Sequence, residues 1–201
     1  MSMAPKHKQF GHRRSLKMRT TVGLCSAIMV LIVGWVLVPQ QQGGAIDDAD
    51  TQAIMKANFL FHFAAANEWP EEVKSGPFRM AIIGNERLFD ELVDKYALKS
   101  IGAQSLEIVH YSSSDALAAD VFAHLIYAEL EGINLEALAE RIANDPVLLV
   151  ANSESALDRG ALINFVAVGH LMRYEINAEK AAERGVLIGN RIMSWAVKSV
   201  Q

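Results

Sequence analysis

The sequence is poor in residues that form covalent links or recognised catalytic sites. Its 201 residues include one cysteine, Cys25, so a single copy can form no disulfide, no CxxC redox pair and no cysteine zinc site. No G-x-S-x-G or S-x-x-K motif surrounds a serine, and no G-x-G-x-x-G series indicates a nucleotide site. We therefore expect a protein that is not an enzyme and that has no catalytic residues, no metal and no cofactor.

The histidines also lack the spacing of metal ligands. None of His62, His110, His124 and His170 has a histidine or carboxylate three or four residues later in a known ligand pattern. His62 and His124 lie inside apolar runs. These histidines are therefore predicted to be core or edge residues.

Acidic residues are absent from one end of the chain and in excess over the rest. Residues 1–45 contain six Lys and Arg and no Asp or Glu, whereas residues 46–201 contain 13 basic and 23 acidic side chains. A domain with that excess of negative charge repels phosphate backbones. Nucleic acid is therefore not expected as a partner.

The basic N-terminal run is followed by an apolar segment long enough to enter a membrane. Thr21 to Val38 has 18 residues without a charge, which as a helix span roughly 27 Å, close to the hydrocarbon thickness of a bilayer. The positive-inside rule keeps the basic flank in the cytoplasm and predicts export of residues 46–201. Gly43-x-Ala45 fits a signal peptidase site, so residues 1–45 are predicted to be a cleaved signal peptide, with a retained inner-membrane anchor as the alternative.

The exported part alternates helical and strand patterns. Apolar residues at helical spacing predict helices over about 49–66, 86–97, 134–142 and 178–184, with a last amphipathic segment over 187–197. Short apolar or alternating runs predict strands over 78–83, 105–111, 121–127 and 147–151, and then 161–168 and 170–176 in a hairpin around Gly169. This order predicts a single α/β domain with a mostly parallel sheet, flanking helices and an antiparallel C-terminal hairpin.

The first predicted helix is apolar on more than one face. Ile54, Ala57 and Phe61 lie on one side, and Met55 and Phe59 lie on another. A free surface helix has one apolar stripe, so this helix is predicted either to be buried between other elements or to pair with a partner.

A polar strand face near the C-terminus is a candidate recognition surface. Arg173, Glu175 and Asn177 alternate with apolar residues and so lie on one face of the predicted strand. One interpretation is a solvated face whose surface ion pair is worth less than about 1 kcal/mol. The other is a surface that binds a ligand or partner together with Trp69, which precedes Pro70 at the end of the first helix. Both interpretations are open at this point.

Several motifs of the exported part resemble the YfiR-like proteins of Gram-negative bacteria. The resemblance extends from about Ile54 to Val200, and its specificity comes from the order and spacing of the motifs. They are KANFLFHF at 56–63 leading to Glu68-Trp69-Pro70, FRMAIIG at 78–84, AHLIY at 123–127, PVLLV at 146–150, GALINF at 160–165, RYEIN at 173–177 and LIGNRIMSWA at 187–196. The candidate partner- or ligand-binding residues within these motifs are Phe63, Trp69, Asn164, Arg173, Glu175 and Asn177.

The resemblance implies a periplasmic α/β domain that performs no catalysis and acts as a repressor. Proteins of this family bind the periplasmic sensory domain of an inner-membrane diguanylate cyclase, usually together with an OmpA-like outer-membrane lipoprotein that relieves the repression. The implied result is lower cyclic di-GMP synthesis. This exported domain lacks the cysteine pairs that family members often have, so a redox-sensing role is not carried over.

Two functions of different classes are consistent with the sequence. The first is the signalling repressor that contacts a diguanylate cyclase. The second is a periplasmic small-molecule sensor with a pocket near Trp69 and the Arg173 strand face. A homodimer is left open in both cases.

Overall fold

The computed structural model describes residues 44–114, 122–129 and 131–200. The basic N-terminal run and the apolar segment from Thr21 to Val38 lie outside these residues. Within the described part of the chain, no helix has both the length and the hydropathy that crossing a membrane requires.

One sheet of eight strands is the centre of the described residues. The strands are β1 Phe78–Ile83, β2 Ser100–Ile101, β3 Gln104–Tyr111, β4 Leu125–Ala128, β5 Leu148–Ala151, β6 Ile163–Val168, β7 Leu171–Asn177 and β8 Lys198–Val200. Their order across the sheet is β2-β3-β1-β4-β5-β6-β7-β8. Neighbouring strands are parallel except in the pairs β2–β3 and β6–β7. The predicted α/β domain, with its mostly parallel sheet and antiparallel C-terminal hairpin, is confirmed.

Helices cover both faces of the sheet. The α-helices in the described residues are α1 Gly44–Ala66, α2 Glu86–Tyr96, α3 Leu135–Arg141, α4 Ala178–Glu183 and α5 Asn190–Trp195, and Glu71–Val73 form a short 3-10 helix. Successive residues of a strand point to opposite faces, so Met80 and Ile82 pack in one core with Leu60 of α1, while Ala81 packs in a second core with Leu138 of α3. We call these the α1 face and the α3 face.

The apolar residues of α1 are covered mainly by the domain itself. Leu60 and Phe63 are fully buried, and the Phe61 ring stacks on Tyr96 with 4.2 Å between ring centroids. Ile54 is exposed. Of the two predicted alternatives for this helix, burial between other elements accounts for most of its apolar surface.

The order of the strands reverses at the centre of the sheet. From β1 the chain passes through α2 to β3 on one side, and from β4 it passes through α3 to β5 on the other side. The carboxyl ends of β1 and β4 therefore flank a topological switch point. In open parallel sheets a crevice forms at such a point, outside the carboxyl ends of the strands.

Some predicted boundaries were wrong, and two short strands were missed. Of the strand predicted over 121–127, residue 121 lies outside the described residues, and β4 begins at Leu125 and extends to Ala128. β2 and β8 have two and three residues, too few for a periodic pattern. Within the last amphipathic segment, predicted over 187–197, the helical residues are those of α5.

Candidate functional site

The six sequence-predicted site residues lie on opposite faces of the sheet. Phe63 and Trp69 belong to the core of the α1 face. Asn164 of β6 is paired with Glu175 of β7, and the next pair along these strands is Phe165–Tyr174, which packs on α1. Because successive residues of a strand point to opposite faces, Asn164 and Glu175 lie on the α3 face. Arg173 and Asn177 share the face of Glu175 by alternation. The structure therefore does not bring Trp69 together with the polar strand face in one pocket.

Phe63 and Trp69 are packing residues in the structure. The Phe63 ring is fully buried, with its centroid 5.9 Å from that of Phe165 and 4.9 Å from that of Tyr174. The Trp69 ring is 6% exposed, meets Phe78 edge to face and donates its indole N–H to the His124 carbonyl oxygen over 3.2 Å. Both residues fix the C-terminal end of α1 on the sheet and offer little surface to a partner.

His124 links the chain after α1 to the first strand. Its Nδ1 accepts a hydrogen bond from the Arg79 amide over 3.1 Å, so the ring proton is on Nε2, which lies 2.7 Å from the Val73 carbonyl oxygen. Burial lowers the pKa of His124 below its ordinary value, against the opposing effect of the Val73 hydrogen bond. His124 is therefore a neutral core histidine, as predicted, whereas His62 is exposed on α1.

The polar strand face is partly used for structure. The buried Asn164 accepts a hydrogen bond from the Ser153 amide and donates one to Glu175 over 3.0 Å. The Asn177 side chain accepts from the Lys180 amide and so caps α4. Arg173 is half-buried and forms no ion pair with the described residues. Binding by these residues stays a prediction, and Arg173 is the side chain most open to it.

A second polar cluster lies at the carboxyl ends of the central strands. Glu129 follows β4 directly and accepts four hydrogen bonds. Lys56 of α1 donates over 2.6 Å and the Tyr127 hydroxyl over 2.7 Å, and the side-chain amides of Asn85 and Asn152 also donate. We call these five residues the Glu129 cluster.

The charge of the Glu129 cluster is balanced internally. Lys56 is 2% exposed and Glu129 is 26% exposed. Burial alone would raise the pKa of the Glu129 carboxyl, but the hydrogen bonds from Lys56 and Tyr127 and the Lys56 charge lower it overall. Burial and the adjacent carboxylate raise the pKa of Tyr127. The cluster thus holds the Glu129 carboxyl in its charged form.

Two cavities meet at Asn152 beside this cluster. One has a volume of about 280 Å³ and is lined by Glu129, Glu131 and Ser153 among others. The other has a volume of about 350 Å³ and lies between the first turns of α1 and the tip of the β6–β7 hairpin. Both lie at the edge of the sheet where β4, β5 and β6 end, on one side of the switch point between β1 and β4; we call the two together the carboxyl-edge crevice.

Exposed large apolar side chains are concentrated in the last part of the described chain. Within residues 187–200 they are Leu187, Trp195, Val197 and Val200. Trp195 is 58% exposed and borders a cleft of about 100 Å³ between α1 and α5. Next to it, β8 is the last strand in the sheet order of the described residues, and an edge strand offers unpaired backbone groups to another chain. We call these four residues the C-terminal apolar residues.

Sequence reasoning missed the Glu129 cluster. Three of its members follow strands of the sheet: Asn85 comes two residues after β1, Glu129 directly after β4 and Asn152 directly after β5. Since the carboxyl ends of parallel strands share one edge, polar residues at these positions converge. Lys56 was also detectable, because it interrupts the buried stripe that includes Ala53 and Leu60.

Comparisons with known proteins give a family and a distant structural similarity. A family model described as YfiR/HmsC-like matches residues 53–197. Among solved structures, the chain is similar to one described as a conserved domain protein from Vibrio cholerae O1 biovar El Tor str. N16961, with 14% sequence identity and a TM-score of 0.47. That similarity covers 73% of this chain and 60% of the other, so this chain spans less than two thirds of it. No curated protein matches the sequence.

Proposed function

The chain belongs to the YfiR/HmsC-like family, and on that premise we propose that it represses an inner-membrane diguanylate cyclase by direct contact with the cyclase's periplasmic sensory domain. Membership supports a periplasmic, regulatory role in cyclic di-GMP signalling. The observation that most strongly supports the proposal is the family match over residues 53–197, which spans nearly all of the described domain. The proposed outcome is a lower cyclic di-GMP level.

The C-terminal apolar residues are the contact surface that we propose for the cyclase. Exposed aromatic side chains next to a small cleft are typical anchors of protein interfaces, and Trp195 has this arrangement. The edge of β8 adds backbone donors and acceptors for an extended segment of the partner. Arg173, Glu175 and Asn177 of the neighbouring strand β7 are proposed as separate polar contacts, because they lie on the face of the sheet opposite the Trp195 cleft, which Phe59 and Tyr174 line.

Repression of this kind needs only a difference in affinity for two states of the cyclase. A preference of about 2.7 kcal/mol for the inactive state shifts the equilibrium between the states by about a hundredfold. One well-buried aromatic anchor supplies an energy of that order in protein interfaces. The proposed mechanism therefore requires no chemical step by this protein.

A binding experiment with matched variants tests the contact surface. The full-length chain should bind the periplasmic sensory domain of an inner-membrane diguanylate cyclase from the same organism, and Trp195→Ala should weaken binding by about tenfold or more. Leu98→Ala is the control, because Leu98 is a fully exposed apolar residue that follows α2 and lies outside the proposed surface. Equal binding by both variants would remove the C-terminal apolar residues from the interface. No binding by the unmodified chain would contradict direct contact.

Further features of the assembly are proposed on the same premise. Residues 1–45 are proposed to direct export and to be cleaved or retained as an inner-membrane anchor, leaving residues 46–201 as the periplasmic domain. An OmpA-like outer-membrane lipoprotein is the proposed relieving partner, and a homodimer is the proposed alternative state. Co-purification of the full-length chain with the lipoprotein and with a differently tagged second copy distinguishes these partners.

A further inference from the structure

We propose that the carboxyl-edge crevice binds a small organic cation, namely a primary ammonium group on a short apolar chain. This inference goes beyond repression of a cyclase and does not depend on it. The sequence suggested a small-molecule sensor as a second function, and the pocket proposed here differs from the one expected for that sensor. The expected pocket combined Trp69 with the Arg173 strand face, and these lie on opposite faces of the sheet.

The location is the first argument. The smaller cavity lies outside the carboxyl ends of β4 and β5, and β4 is one of the two strands that flank the point where the strand order reverses, close to which open α/β sheets bind their ligands. The two cavities measure about 280 and 350 Å³ and meet at Asn152. The larger volume is within the range of small-molecule sites, roughly 300–1,000 Å³, and the smaller is close to its lower limit.

The Glu129 cluster is the second argument. An apolar residue in place of Lys56 would complete the buried stripe of α1, and a buried ion pair is often no more stable than an apolar pair of similar volume. Here the pair is retained and Glu129 is fixed by four donors, which use the acceptor positions of its carboxylate. Glu129 in turn fixes the Asn152 side chain that lines both cavities, as supporting residues do for the contact groups of a binding site.

The charge of the lining determines the class of ligand. Three carboxylates of the described residues line the two cavities: Glu129, Asp48 and Glu131. His170 also lines the larger cavity. Neither cavity is lined by a Lys or Arg of the described chain, and Lys56 is already paired with Glu129. The field in the crevice therefore favours a cation and disfavours phosphate or carboxylate ligands.

The remaining contacts favour an ammonium group with an apolar chain. The Asn152 amide nitrogen donates to Glu129, which leaves the amide oxygen as an acceptor at the junction of the cavities. Met55, Phe165 and Met172 line the larger cavity and offer an apolar wall that adapts to ligand shape. An ammonium group at Asn152 and an alkyl chain along these residues would satisfy both parts of the crevice.

Calorimetric titration of the full-length chain in nonionic detergent tests the proposal, with n-pentylamine as the probe. At pH 7 the amine should bind saturably, whereas pentanoate and 1-pentanol, which have the same chain length, should bind at least roughly tenfold more weakly. Absence of saturable amine binding would overturn the proposal, and so would equal affinity for the three compounds. No cyclase is present in this experiment, so its failure leaves the proposed repression untouched.

Two exposed carboxylates allow a test by mutation without disturbing the buried cluster. The double variant Asp48→Asn with Glu131→Gln should lower the affinity for n-pentylamine by about threefold or more, because each exposed charge contributes little by itself. Asp90→Asn, an exposed carboxylate on α2 outside the crevice, is the matched control and should bind like the unmodified chain. Unchanged affinity in the double variant would show that the amine binds elsewhere and would overturn the proposal.

Discussion

At the scale of single residues, one buried and one half-buried polar side chain align elements that hydrophobic packing alone would leave free to shift. His124 connects the segment after α1 to β1 through the Val73 carbonyl and the Arg79 amide. Glu129 connects α1 to the loops after β1 and β5. Since apolar packing is not directional and hydrogen bonds are, these residues specify one arrangement among several with similar buried area.

The protonation of His124 should make the protein less stable in mild acid. Burial lowers the pKa of His124 in the folded protein below the ordinary value of 6.5. As the pH falls below that value, the unfolded chain takes up the proton first, so the free energy of unfolding decreases until the pH reaches the folded-state pKa. Thermal melts of the full-length chain at pH values of about 7 and 5 measure this decrease.

Two histidine variants separate His124 from the other titrating groups. His124→Gln should show a smaller drop in melting temperature between these pH values than the unmodified chain. His62→Gln, which changes an exposed histidine, should show the same drop as the unmodified chain. If all three proteins lose stability equally, another group is responsible and the assignment to His124 is wrong.

Breaking the Lys56–Glu129 pair should cost far more than removing a nearby exposed charge. Glu129→Gln leaves the buried Lys56 ammonium without its counter-charge, and we expect a loss of about 3 kcal/mol in the free energy of unfolding. Glu131→Gln, two residues away and exposed, should stay within about 0.5 kcal/mol. Urea denaturation of the full-length chain measures both.

A double variant shows whether the cost comes from the stranded charge. Lys56→Met combined with Glu129→Gln removes both charges and should recover part of the loss caused by Glu129→Gln alone. Additive losses in the double variant would contradict this explanation, because they would mean that Lys56 and Glu129 stabilise the fold independently.

At the scale of elements, the strands and helices of the described residues followed largely from local pattern. β1 has the predicted bounds, and the alternation in β7 placed Tyr174 and Ile176 on the buried face as expected. The candidate site was less predictable. Trp69 and Arg173 were expected to share a pocket. Alternation shows which residues of a strand share a face, but which of the two faces packs on α1 depends on the order of the strands in the sheet, and this order could not be predicted from the sequence alone.

Residues of the Glu129 cluster were missed for a related reason. Lys56 and Glu129 are 73 positions apart, and nothing local indicates that they meet. Their convergence depends on α1 packing antiparallel to β4 and on β1, β4 and β5 ending at one edge. Once the parallel sheet was expected, polar residues directly after its strands were the available signal. The short strands β2 and β8 gave no signal, because pairing alone defines them.

The contact between α1 and α5 depends on one small residue. A methyl group on Gly189, which precedes α5, would overlap the Ala66 carbonyl oxygen at the end of α1. Gly189→Ala should therefore destabilise the protein by about 1–3 kcal/mol and change the fluorescence of Trp195. Chemical denaturation and emission spectra of the full-length chain check both effects.

Gly169 provides the matched control for this substitution. Its backbone has a positive φ of 61°, but an added methyl group would meet no atom within 4 Å. Gly169→Ala should cost about 1 kcal/mol through backbone strain and leave the fluorescence of Trp195 unchanged. A Gly189→Ala protein with unmodified stability and fluorescence would show that α5 can move away from α1 without loss.

At the scale of the whole molecule, charge and topology agree with a periplasmic regulatory protein. The basic residues of the N-terminal part precede an apolar run, and the acidic domain follows it. We expect an alkaline phosphatase fusion after residue 60 to be active, because the positive-inside rule places that point outside the cytoplasm. A stable but inactive fusion would contradict the proposed export of residues 46–201.

The cyclic di-GMP level of a deletion strain tests the proposed repression most directly. Removal of the gene should raise cellular cyclic di-GMP, and expression of the unmodified chain should restore the original level. Restoration should fail with Trp195→Ala and succeed with Leu98→Ala, since only the first changes the proposed contact surface. An unchanged cyclic di-GMP level in the deletion strain, with the diguanylate cyclase shown to be expressed, would contradict repression by this protein.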